Sequence, residues 1–116
     1  METESGLVVS RKLYIEKTPH LTAGMARSLL AMRFDIQGNI DRLLKELREQ
    51  AEAGRQAGYE GIGSLCQSME NCVLKIGPQV EKSLLETAIS ILMEACRVIE
   101  RHVEMISGMA IPAGTN

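Results

Sequence analysis

Aromatic side chains are scarce: the 116 residues include no Trp, one Phe and two Tyr. The core must therefore be aliphatic, built from Leu, Ile, Val, Met and Ala. A surplus of positive charge is also missing, since 13 basic residues stand against 15 acidic ones for a net charge of −2. Neutralising phosphates takes a clustered basic excess, so nucleic acid is excluded as the expected partner. No apolar run approaches the roughly 20 residues of a membrane span. The start, Met1-Glu2-Thr3-Glu4-Ser5, lacks the basic residues and apolar stretch of a signal peptide. The expectation is a soluble, cytoplasmic protein with no membrane partner.

Paired metal ligands are the next absence. Cys66, Cys72 and Cys96 are odd in number, and no C-x-x-C spacing occurs. On a helix, Cys66 and Cys72 would point about 120° apart. They read as small reduced core residues, and no metal or cofactor is expected. His20 and His102 lie far apart in sequence, outside any H-E-x-x-H or nucleophile-elbow context. Nothing here predicts an enzyme.

What the chain does have is apolar residues at helical spacing. Hydrophobic residues at 45% and charged residues at 24% suit one compact domain. In 1–18, Leu7, Val9, Leu13 and Ile15 alternate, which predicts an extended amino-terminal arm. Thr18-Pro19 then reads as a helix start, with Thr as N-cap and Pro in the first turn. The helical domain is expected over 19–108, with a flexible tail over 109–116. A break is expected within 35–39, where Gly38 closes one helix and Asn39 caps the next, with one kinked helix over 19–56 as the alternative. After it, Ile40, Leu43, Leu44, Leu47 and Ala51 form one stripe, opposite Asp41, Lys45, Arg48, Glu49, Glu52 and Arg55. Ile62, Leu65, Cys66, Met69, Val73 and Ile76 form a third helical series. Pro78 is expected to head the last helix and Gly108 to end it. That helix carries Leu84, Ala88, Ile91, Ala95, Val98, His102 and Met105 in a/d rhythm. Leu47, Leu65, Met69, Leu84, Ile91 and Val98 are predicted to face inward together. The methionines read as core fillers, apart from Met32, expected to be exposed near the break. Four helices with short connections predict an all-α fold, an antiparallel four-helix bundle.

The stretch Ala57-Gly58-Tyr59-Glu60-Gly61-Ile62-Gly63-Ser64-Leu65, running on to Met69-Glu70, is the most specific motif. It resembles the helix–turn–helix centre of histidine phosphotransfer domains, and the likeness extends over about residues 35–107. In that family a Gly-aromatic turn joins the phosphorylated helix to the next, and a long final helix follows. The resemblance implies an exposed histidine about ten residues before the turn glycine, with a lysine three residues later and a glycine four later. Counting back from Gly58, those positions hold Arg48, Ala51 and Glu52. A guanidinium cannot accept and pass on a phosphoryl group, so the resemblance implies a degenerate member.

Several functions follow as expectations. The first is a non-enzymatic signalling adaptor that binds a response-regulator receiver domain or a histidine kinase without relaying phosphate. Its binding face would be Lys45, Arg48, Glu49, Glu52 and Arg55, with Arg48 entering the acidic, magnesium-holding pocket of the receiver. The plainer reading of that face is a solvated surface with ion pairs three and four residues apart. The second is a helical oligomerisation or export-chaperone module, with a homodimer left open. The third is active phosphotransfer through His20, because His20-Leu21-Thr22-Ala23-Gly24 matches the histidine and glycine of the family motif. His102 reads as a boundary histidine with one hydrogen-bond partner.

Overall fold

The computed structural model describes residues 2–110, with side chains over 6–108. Four helices follow in order: α1 (Glu2–Ala31), α2 (Ile36–Gln56), α3 (Glu60–Leu74) and α4 (Lys82–Ala110). The expected tail falls mostly outside the described residues, beyond position 110.

The amino-terminal segment is helical, contrary to the expected arm. Tyr14, Thr18, Thr22, Met25, Leu29 and Met32 are buried at steps of three and four residues, so one face of α1 enters the core. Its two buried threonine hydroxyls are satisfied within the helix: Thr18 Oγ1 donates to the Tyr14 carbonyl (2.6 Å), and Thr22 Oγ1 to the Thr18 carbonyl (3.0 Å). Thr18 therefore does not cap a helix, and Pro19 lies inside one. Packing on both sides of Pro19 outweighs the backbone hydrogen bond it removes. Met32 is fully buried, not exposed.

The break comes at residues 32–35, earlier than expected. Asp35 is the N-cap of α2, with extended backbone and a carboxylate that accepts from the Gly38 amide (3.2 Å). Asn39 sits inside the first turns of α2, where its amide donates to the Ala31 and Asp35 carbonyls. At the other end of α2, the Gly58 amide donates to the Arg55 carbonyl and the Tyr59 amide to that of Gly54. This is a Schellman closure. It needs a left-handed residue, and Gly58 has φ +85°.

The register of α4 differs from expectation. Leu85, Ile89, Leu92, Cys96, Ile99, Val103 and Ile106 are buried, whereas Leu84, Ile91 and Val98 point outward. Two apolar stripes of the same period run side by side on α4, so periodicity alone cannot choose between them. The buried stripe carries a bulky aliphatic side chain at all but one position, and the outer stripe alternates with Ala and His. Burying the bulkier stripe removes more apolar area from water. Leu65 is only half-buried, while Leu47 and Met69 are core residues as expected. Pro78 lies in the connection before α4, and the helix continues past Gly108, which is exposed and tolerable in a helix at a cost near ~1 kcal/mol.

Contacts fix the directions. Ser28 bonds Glu46 (2.8 Å) and Asn39 bonds Ala31, so α2 runs antiparallel to α1. Arg33 pairs with Glu86 (2.7 Å) and Tyr14 meets His102, so α4 also runs antiparallel to α1. In sequence, α3 follows α2 through the tight turn at Gly58 and lies along it. A shorter seam joins α3 to α4 and closes the ring of four helices. None of the described helices is long and apolar enough to cross a membrane.

Candidate functional site

The amphipathic helix α2 supplies the polar face on which the expected residues stand. Its inner side, from Ile40 through Leu47 to Ala51, is buried. That fixes Lys45, Arg48, Glu49, Glu52 and Arg55 on the outer half, all five exposed.

Four of these five residues are divided between two grooves. Arg48, Glu52 and Arg55 line the groove between α2 and α3, together with Ala51, Gln67 and Glu70. Glu49 and Glu52 line a larger groove between α1 and α2, beside Glu16, Lys17 and His20. Lys45 lines neither. Glu52 stands on the ridge between them.

In the α2–α3 groove the cations have partners. Arg48 Nε donates to Glu70 Oε2 at 2.7 Å. The arginine side chain keeps 62% of its exposure while that of Glu70 keeps 15%, so the carboxylate is the sheltered partner. Arg55 donates to the Gly63 carbonyl (3.2 Å), and its stem lies against Gly63, where an added Cβ would come within 2.5 Å of Nε. Glu70 and Gly63 were not singled out as partners from the sequence. The signal was there: Arg48 and Glu70 are equally far from Tyr59, as are Arg55 and Gly63, which is how an antiparallel helix pair aligns about its turn.

The α1–α2 groove places His20 in the middle of α1, exposed, and not at a helix start as expected. Its neighbours Glu16, Glu49 and Glu52 outnumber Lys17, so the groove is acidic. Gly24, one turn on, is buried. An added Cβ there would meet the Glu46 carboxylate, the group that accepts from Ser28. This glycine makes room for α2.

A second cluster lies where the turn at Gly58 meets α1 and α4. Tyr14 Oη is 3.2 Å from His102 Nδ1, and both tyrosine rings pack against the imidazole. Arg11 stacks over Tyr59, 5.3 Å from the ring centroid, and donates to the Ala57 carbonyl (3.0 Å). Burial pushes the Tyr14 phenol up and holds the His102 imidazole below its usual range. His102 is thus a half-buried histidine with one hydrogen-bond partner, as expected. The cysteines are free, with Cys66 and Cys96 buried and Cys72 half-buried. Burial pushes the thiols up to about 11 for Cys66 and about 12 for Cys96, which keeps both protonated and weakly reactive at neutral pH. Among the described residues, no three His, Cys, Asp or Glu side chains gather as metal ligands.

No family model, curated protein or solved structure matches the chain.

Proposed function

We propose that the protein is a non-enzymatic adaptor, a degenerate phosphotransfer-type bundle that binds a receiver domain or a histidine kinase through the outer face of α2. The observation that supports this reading is Arg48. It stands on the exposed side of the helix before the Gly58 turn, where the resembling family carries its phosphoacceptor, and its ion pair with Glu70 holds it near the α2–α3 groove. A fixed cation there suits the acidic pocket of a receiver and cannot relay a phosphoryl group.

A panel of receiver domains tests the proposal by calorimetric titration. Arg48→Glu should weaken binding about tenfold or more, the value of a desolvated charge-assisted contact. Its melting temperature should fall modestly, because the sheltered Glu70 carboxylate loses its partner and gains a like charge beside it, so binding is measured well below the transition. A receiver that binds wild type and Arg48→Glu equally well would reduce this face to a solvated surface.

A second reading, phosphotransfer through His20, is favoured by the exposure of that imidazole at mid-helix. Against it stand the inward-facing Gly24 and the acidic groove. Acid-labile phosphoryl uptake from a phosphorylated receiver, abolished by His20→Gln, would establish it over the adaptor.

A further inference from the structure

Among the described residues, nothing covers the outer face of α4. Leu84, Ile91, Val98 and Met105 recur at every seventh residue and keep 59%, 60%, 44% and 59% of their exposure. Beside them Ala88 and Ala95 are half-buried and small. Together they make a four-and-three spaced seam, the pattern of a helix that packs against another along its length. The seam spans 84–105, about 33 Å at 1.5 Å per residue.

We propose that this face binds a second copy of the chain, with the two α4 helices lying antiparallel about a two-fold axis.

The argument for a copy, and for its direction, comes from size and charge. Reversed on itself, the seam sets Ala95 against Val98, Ile91 against His102 and Ala88 against Met105, so each alanine layer meets a larger side chain. The same alignment brings Glu94 of each copy beside Arg101 of the other. In the single chain these two exposed side chains bond each other at 3.1 Å along one helix. Dimerisation exchanges the two pairs of separate chains, one in each, for two that tie the copies together. A parallel copy offers no such match, because the residues facing Glu94 and Arg101 would then be Ile99 and Ile106, both buried beneath their own helices. The antiparallel seam is self-complementary, as an isologous contact requires. With flanking side chains, two helices in contact over this length bury on the order of 1,000 Å² in total, the lower limit of a specific interface. The proposal is independent of receiver binding, since α2 carries that face and α4 carries this one.

Light scattering after size exclusion and sedimentation equilibrium, across the micromolar range, test it on the full chain. Wild type should reach twice its 12.7 kDa. Ile91→Asp should remain monomeric with unchanged helical circular dichroism, because position 91 is exposed. Arg101→Glu should weaken the dimer at least tenfold, and Glu94→Arg combined with Arg101→Glu should restore it. A wild type that stays monomeric throughout overturns the proposal, as does an Ile91→Asp variant that still dimerises. Failure of the charge swap to restore the dimer overturns the antiparallel register.

Discussion

His102 links three elements, because its ring contacts Tyr14 on α1 and Tyr59 at the α2–α3 turn from its own place on α4. Burial lowers its proton affinity in the folded chain below the ordinary value of 6.5. The unfolded chain therefore binds more protons than the folded one in the range just below 6.5, and stability must fall as pH falls through that range. The contribution is complete above the unfolded value and declines toward the lower, folded one. The carboxylates held low by arginines, Glu86 and Glu94, act below their usual value of 4.5 and leave this window clear. Melting temperatures between pH 7 and pH 5 should decline for wild type and decline less steeply for His102→Gln. Equal slopes would mean that the imidazole is protonated as easily in the folded chain as outside it.

At the scale of elements, the α2–α3 hairpin rests on two close approaches, and they differ in what stands nearby. A Cβ on Gly54 would lie 2.8 Å from the Ile62 Cγ2 and 3.0 Å from its Cβ, a branched buried side chain fixed near its own backbone. The atoms nearest a Cβ on Gly63 belong to Arg55, whose long side chain can swing away at the loss of one hydrogen bond. Gly54→Ala should therefore destabilise by about 1–3 kcal/mol through overpacking. Gly63→Ala should be near neutral, since about 1 kcal/mol of helix propensity offsets a bond of similar value. Chemical denaturation of both variants checks the contrast, and equal effects would mean that the two helices do not meet closely at Gly54. This hairpin was also the most legible part of the chain: Leu47 and Met69 were placed inward, and Gly58 was recognised as the turn. The first helix was not legible, because its buried stripe includes Thr18, Thr22 and Ser28 and the helix contains Pro19 on its exposed side. Buried hydroxyls, satisfied within α1 for Thr18 and Thr22 and by Glu46 for Ser28, leave no hydrophobic period to read. The fourth helix failed for the opposite reason, having two apolar stripes where one would have fixed the register. At the candidate site, the exposed side of α2 was readable from its amphipathic pattern, but the division of its residues between two grooves depends on where α1 lies.

The whole molecule is held unevenly around its ring. α1 packs on both α2 and α4, and α2 packs along α3, whereas α3 and α4 meet only over a shorter seam. That seam is where separation removes the fewest contacts, so opening there should precede global unfolding. Cys66 of α3 and Cys96 of α4 report on it. Both are buried, and they lie near enough for the charge of one thiolate to raise the other. Cys72, also on α3, is half-buried and tests simple surface access. Under native conditions with an aromatic disulfide reagent, Cys72 should react first. Cys66 and Cys96 should follow together, at one shared rate faster than the unfolding rate measured in denaturant jumps. The reasoning rests on a common event: a single parting of α3 from α4 exposes both thiols, whereas independent fraying of either helix would expose one alone. Single-cysteine variants resolve the rates. If Cys66 and Cys96 react only as fast as the chain unfolds, the seam is as firm as the rest of the core. If their rates differ widely, the two helices loosen separately and the ring does not open at one place.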